Sequence, residues 1–265
     1  MFGPFAGLPL MVLLRAVHDR DLTRGVLAQR RAEERSRQEL LVTLPELRRG
    51  HVGIVFGTLF TLPLNMVRPT GAPPLTEWQK SVCYETADEA HALALDQLEI
   101  YETWERDGRI RLLRTRSDLA SHVDAWTDGD QTLGVVLLME GADPIRTPDE
   151  LPWWIDRGLR LLGPAWQRTR YAGGTHAPGP LTDLGTELVR TMIDHDLPLD
   201  TSHLAEESFW DAMALDPEYV LASHSNARAL TPGDRHLTDD MIREIADRDG
   251  VVGLVLGNSM LRADV

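Results

Sequence analysis

Two textures alternate along the chain. Short runs rich in leucine and β-branched residues, with no strict polar alternation, stand at 52–59, 133–139, 197–200, 219–223 and 251–256. Weaker runs stand at 8–14, 110–113 and 159–162. A strand covered on both faces needs no polar side, so such runs predict strands of a parallel sheet. Helical patterns lie between them. In 181–193 the apolar residues Leu181, Leu184, Leu188, Val189, Met192 and Ile193 fall on one helix face. Ala90, Leu93, Leu98 and Tyr101 do the same in 86–104, where Asp88 and Glu89 suit the positive end of a helix dipole. The segment 238–246 opens with Asp239 and Asp240 and carries Met241, Ile242 and Ile245. Gly250 is expected to stop that helix.

Strand and helix in strict alternation predict a parallel α/β fold. About seven such units favour a (β/α)8 TIM-type barrel over a doubly wound sheet. No glycine-rich nucleotide motif follows any of the strand runs. The stretch 171–180, with its glycines and prolines, is expected to be a loop, either a lid or a connector.

Active sites of such barrels sit at the C-terminal strand ends. The run 133–139 ends in Glu140; 197–199 leads into Asp200-Thr201-Ser202-His203; 220–222 leads into Ser223-His224-Ser225-Asn226. Three strand ends thus deliver a carboxylate and two imidazoles to one rim. That is the donor set of a zinc hydrolase site, where an open position activates water. A helix-capping role for Glu140 and loop positions for the two histidines is the bland alternative. His91 and His122 lie in helical patterns, and His18, His51, His176, His195 and His236 in loops or helix ends. Surface or internally satisfied positions are the default for these seven.

Composition narrows the partners. The chain has 265 residues, 43% hydrophobic, enough for one large core. A net charge of -14 argues against nucleic acid and anionic membrane surfaces. The one basic run, Arg30, Arg31, Arg35 and Arg37, is interleaved with Glu33, Glu34 and Glu39 and reads as a solvated helix face. The single cysteine, Cys83, excludes an intrachain disulfide and suits a reducing, cytoplasmic compartment. No run reaches the roughly 18 apolar residues of a membrane span. The apolar start of the chain is read as a buried first strand at 8–14 rather than a secretory signal, since no basic n-region precedes it.

The strings Leu199-Asp200-Thr201-Ser202-His203 and Leu221-Ala222-Ser223-His224-Ser225-Asn226-Ala227-Arg228-Ala229-Leu230 resemble the paired histidine motifs of membrane (renal) dipeptidases, peptidase family M19. Val136-Leu137-Leu138-Met139-Glu140-Gly141 resembles that family's metal-bridging glutamate strand, and Val52-Gly53-Ile54-Val55-Phe56-Gly57 its second barrel strand. Arg235, in Asp234-Arg235-His236-Leu237-Thr238-Asp239, sits where the family keeps a substrate-binding arginine. The resemblance runs from about Gly7 to the C-terminus. It implies a single metal-dependent hydrolase barrel domain over 1–265, two zinc ions, and dipeptide hydrolysis by attack of a metal-bound hydroxide. Glu140 would bridge the metals and be catalytic. His203 and His224 would complete one metal, Arg235 would fork onto the substrate carboxylate, and Asp200 would orient a ligand from behind. A homodimer is consistent with the resemblance, since some members are dimers.

The sequence also departs from that pattern. The family's first-strand Asp-x-His-x-Asp-Leu-Pro motif survives only as Leu8-Pro9; Phe5 and Gly7 stand where its histidine and second aspartate would be. The first histidine and aspartate of the chain are His18 and Asp19. An eighth strand, with an aspartate for the leaving amine, is expected to be missing. The family's histidine after the fourth strand falls near Trp166 or Gln167, and Gln167 could still donate a hydrogen bond to substrate. The expected load is therefore one zinc or none. The alternative is an impaired member that binds metal or peptide without efficient turnover. A different amidohydrolase barrel is disfavoured, because its usual His-x-His on strand one is absent.

Overall fold

The computed structural model describes residues 43–64 and 81–261. The expected first strand at 8–14 and the Arg/Glu-interleaved segment at 30–39 lie outside these residues. The elements in chain order are α1 (Leu44–Arg49), β1 (Ile54–Phe60), β2 (Leu62–Pro63), β3 (Cys83–Tyr84), α2 (Ala87–Arg106), β4 (Ile110–Leu112), α3 (Arg116–Thr127) and β5 (Leu133–Glu140). A short 3-10 turn (Pro148–Glu150) precedes α4 (Leu151–Asp156), β6 (Leu159–Gly163), β7 (Ala172–Gly174), β8 (Ala177–Leu181) and α5 (Asp183–Asp194). Then come β9 (Leu199–Asp200), α6 (Glu206–Met213), β10 (Val220–Ala222), α7 (Asp239–Asp247), β11 (Val251–Val252) and α8 (Asn258–Leu261). None of the described helices is long and apolar enough to cross a membrane.

The main sheet runs β1-β5-β6-β9-β10-β11, and the pairings from β5 to β11 are parallel. This is the α/β layout of a TIM-type barrel. β4, from the run at 110–113, pairs in parallel with β5 off that path and makes the seventh strand of the sheet. β5 is long enough to take β4 beside its first residues, Leu133 to Val135, and β6 beside its last, Leu137 to Glu140.

The described residues form two compact units, 43–57 with 100–136, and 58–64 with 81–99 and 137–261. In the first, the backbone of Gly53 takes a hydrogen bond from Gly134 N and lies 2.9 Å from Nε2 of the buried His122. Helix α3 is fixed at its start by a reciprocal pair, in which Thr115 Oγ1 accepts from Asp118 N and the Asp118 carboxylate accepts from Thr115 N. In the second, the registers Glu140↔Gly163, Leu162↔Leu199 and Leu221↔Asp200 put Glu140 and Asp200 on one rung, two strands apart. One residue behind that rung, Met139, Leu162, Leu199 and Val220 are buried. Each large apolar side chain there contributes about 1.5–3 kcal/mol. Helix α5 adds Leu188, Val189 and Met192 from its apolar stripe.

Three local expectations are corrected. The stretch 171–180 holds an antiparallel hairpin, β7–β8, rather than a loop. Glycine serves close approach here, because a Cβ on Gly173 would stand 2.4 Å from the carbonyl oxygen of Gly179. Second, α7 ends at Asp247 with Arg248 as its C-cap, and the left-handed residue that follows is Asp249 (φ 56), not Gly250. Gly250 instead lets the chain pass β10, since its Cβ would meet Val220 O at 2.4 Å. Third, β11 stops at Val252, short of the expected run to 256. Beyond it, Ser225 N donates to Gly253 O and Val255 N donates to the Asn226 side chain, which takes the chain out of the ladder.

Candidate metal centre

Glu140, His203 and His224 meet in the second unit and are all buried. The nitrogen His203 Nε2 lies 3.0 Å from Glu140 Oε1, His224 Nε2 lies 3.1 Å from the same oxygen, and the two nitrogens are 3.0 Å apart. Each side chain is aimed by its backbone. Glu140 is the last residue of β5. The two histidines each stand three residues past one rung of the sheet, where Leu221 faces Asp200. His203 adopts a left-handed backbone (φ 70), a conformation that costs a non-glycine residue energy and collects at functional sites.

Each ring is held from behind by a hydroxyl. Thr175 Oγ1, carried by the β7–β8 turn, lies 3.0 Å from His203 Nδ1. The hairpin is docked there by backbone bonds, Ala205 N to Gly173 O and a Gly174–Leu204 bridge. On the other side Ser223 Oγ lies 2.6 Å from His224 Nδ1 and donates to Asp200 Oδ2. Asp200 Oδ1 accepts from Ser202 N (3.0 Å) and Ser223 N (2.9 Å). Ser202 Oγ accepts from His224 N. Asp200 therefore reaches an imidazole through Ser223, not directly.

Charge and burial set the protonation of His203. Burial, and then the Arg235 guanidinium, hold the His203 imidazole well below the ordinary histidine range, against the opposite pull of Glu140. A neutral imidazole is the form that ligates a metal. Arg235 is itself buried and donates to His224 O (2.6 Å) and Ser225 Oγ (3.1 Å). The Trp166 ring lies 5.8 Å from the His203 ring and packs edge-on to Phe60. Gln167, next in the chain, is half-buried, and its Oε1 is buried with no hydrogen-bond partner among the described residues. Of the residues singled out in the sequence, the structure thus gathers Glu140, His203, His224, Asp200 and Arg235 around one point. It places Gln167 beside Trp166, whose carbonyl accepts from Thr175 N. His91, His122 and His176 lie elsewhere, on Pro144 O, Gly53 O and Asp234 respectively.

Two residues escaped the sequence reading. Ser223 had a signal, since a hydroxyl immediately before a strand-end histidine is a natural partner for its ring. Thr175 had none, because it lies 28 residues from His203 and only the hairpin brings it there.

A buried carboxylate and two imidazoles at parallel strand ends form a candidate metal site on a TIM-type layout. The model of the membrane dipeptidase family (peptidase family M19) matches residues 10–264, and the chain belongs to that family. Among curated proteins it is 29% identical over 211 residues to an uncharacterized protein in the PQQ-III 3′ region of Acinetobacter calcoaceticus, covering 76% of this chain and 62% of that one. It is 34% identical over 167 residues to an uncharacterized protein in the pqqA 5′ region of Klebsiella pneumoniae, covering 59% and 60%. The chain thus spans about three fifths of the length of these relatives. Among solved structures, a metallopeptidase from Rhodobacter sphaeroides, liganded with a phosphinate mimic of the dipeptide L-Ala-D-Ala, superposes with a TM-score of 0.73 at 28% identity. That match covers 92% of this chain and 72% of the other.

Proposed function

We propose that this chain carries a one-metal dipeptidase site, with Glu140, His203 and His224 as zinc ligands. The observation that carries the proposal is the convergence of Glu140 Oε1 and the two Nε2 atoms within 3.0–3.1 Å in a buried setting. Two borderline nitrogens and a hard oxygen, with the His203 ring kept neutral, fit a zinc ion chemically. When bound, such an ion supplies Lewis acidity and lowers the pKa of water. The chain's own residues do the rest. Asp200 and Ser223 orient His224, and Thr175 orients His203. Arg235 takes the free carboxylate of a small peptide by a charge-assisted bond, which selects dipeptides over longer chains. Gln167 offers its amide to the scissile group. Trp166 and Phe60 form an apolar wall that limits water at His203. The Rhodobacter relative, with its dipeptide mimic, supports the substrate class, and the single cysteine favours a cytoplasmic setting.

A second reading is peptide binding without efficient turnover. It is favoured by Phe5 and Gly7, which stand where the family motif has a histidine and an aspartate. Zinc per chain after dialysis, measured together with hydrolysis of an alanyl dipeptide, separates the two. One zinc with turnover that His224→Ala abolishes supports the dipeptidase. One zinc with peptide binding and no turnover supports the second reading. No zinc in the folded protein sinks the dipeptidase and leaves the second reading to be decided by peptide binding alone.

A further inference from the structure

Resting on the metal reading above, we propose that Ser223 is a positioning residue: it relays the acceptor character of Asp200 to His224 and fixes which ring nitrogen carries the proton. The direction of each hydrogen bond follows from what each atom can do. Asp200 Oδ1 is occupied by the N–H groups of Ser202 and Ser223. A carboxylate only accepts, so the Ser223 hydroxyl hydrogen points at Asp200 Oδ2. That leaves Ser223 Oγ as an acceptor toward His224 Nδ1, 2.6 Å away. His224 must then carry its proton on Nδ1, and its Nε2 presents a lone pair toward Glu140 and His203. Ser202 does not disturb the relay. Its Oγ accepts from His224 N, and at 3.3 Å its own hydrogen can be given to Ser223 Oγ, which has a second lone pair. The whole network is buried, so no competing water exchange resets it.

Asp200→Asn is nearly isosteric and inverts the relay. The two backbone donors hold the amide oxygen at the Oδ1 position, and the amide nitrogen then faces Ser223 Oγ. The serine must turn its hydrogen onto His224 Nδ1, and the histidine proton moves to Nε2, inside the site. Ser223→Ala cuts the relay without inverting it. The test is zinc affinity by chelator competition on the purified wild type, Ser223→Ala, Asp200→Asn and the double variant, with circular dichroism to confirm folding. Ser223→Ala is expected to weaken zinc by about tenfold and Asp200→Asn by about a hundredfold, the span of outer-shell effects. The double variant should return to the Ser223→Ala level, because the inverted donor no longer has a hydroxyl to act through. If Asp200→Asn weakens zinc equally in both backgrounds, the loss is plain charge removal and the relay is overturned. Wild-type affinity in Ser223→Ala also overturns it, and that variant alone decides the question if Asp200→Asn does not fold. A wild type that binds no zinc removes the metal reading itself, and the relay with it.

Discussion

Two buried carboxylates stand three residues apart at the end of β5, and their surroundings differ in kind. Among the described residues, the Asp143 carboxylate accepts from one phenol hydroxyl and two Arg170 N–H groups. Tyr84 Oη gives a hydrogen bond to its Oδ2, while Arg170 N (3.0 Å) and Arg170 Nε (3.2 Å) give theirs to Oδ1. Burial, and then Asp143 itself, push the Tyr84 phenol far above its ordinary range, so it stays a donor. Arg170 goes on to cap the carbonyls of Asp143, Ile145 and Arg146. Glu140 instead faces two imidazole nitrogens, each of which can hold a proton or a lone pair. A carboxylate met by fixed donors is a strut between loops. A carboxylate met by convertible donors can share them with a cation. Burial alone, 2% exposed for Glu140 and 4% for Asp143, does not tell the two apart.

The largest expected effect falls on Glu140. Glu140→Gln removes the charge and one shared acceptor, so zinc affinity and dipeptide turnover should drop by more than the roughly hundredfold of outer-shell changes. Isothermal titration with zinc measures the first and a ninhydrin assay the second. Retained zinc binding would erase the distinction between the two carboxylates. Asp143→Ala is the mirror experiment. It leaves a buried phenol and a backbone N–H without their acceptor, at about 1–3 kcal/mol each. The urea midpoint should fall, while zinc affinity stays within a factor of about three of wild type, since outer-shell effects begin near tenfold. Loss of zinc in Asp143→Ala would mean that the strut also positions Glu140.

Much of this contrast could be read from the sequence, and the missing part has a physical cause. Glu140, His203 and His224 were legible because a parallel sheet places its strand ends on one rim, so three short apolar runs locate three side chains. The strand boundaries at Leu133–Glu140 and Leu159–Gly163 were legible for the same reason. The hairpin at 172–181 was not, because glycines and prolines that mark a loop also permit two backbones to touch, as Gly173 and Gly179 do. Asp143 and Tyr84 were not singled out either. They are 59 residues apart, and a strut between loops leaves no periodicity.

Tyr84→Phe asks whether the strut is held by its phenol. The hydroxyl goes and the ring stays, so core packing is kept and only the bond to Asp143 is lost. The cost should be about 1–2 kcal/mol, or a fall in Tm of about 2–8 °C for a domain of this size, with zinc affinity unchanged. Equal destabilisation by Tyr84→Phe and Asp143→Ala would assign most of the strut to this one bond, whereas a much smaller effect would assign it to Arg170.

The smallest effect is expected next door, at Arg146. Its guanidinium bonds Glu150 at 2.6 Å and Asp88 at 3.2 Å, but 43% of the side chain is exposed and Asp88 is 82% exposed. Water screens such a pair, so it adds little to stability. The backbone of Arg146 matters more than its charge, since Arg146 O accepts from Arg170 Nη1, and Arg146→Ala keeps that carbonyl. Thermal melts of Arg146→Ala should therefore shift by no more than a few degrees, and raising the salt should shrink the difference further. A shift as large as that of Tyr84→Phe would mean that the strut extends into the surface ion pairs, and the boundary drawn here at Asp143 would have to move outward.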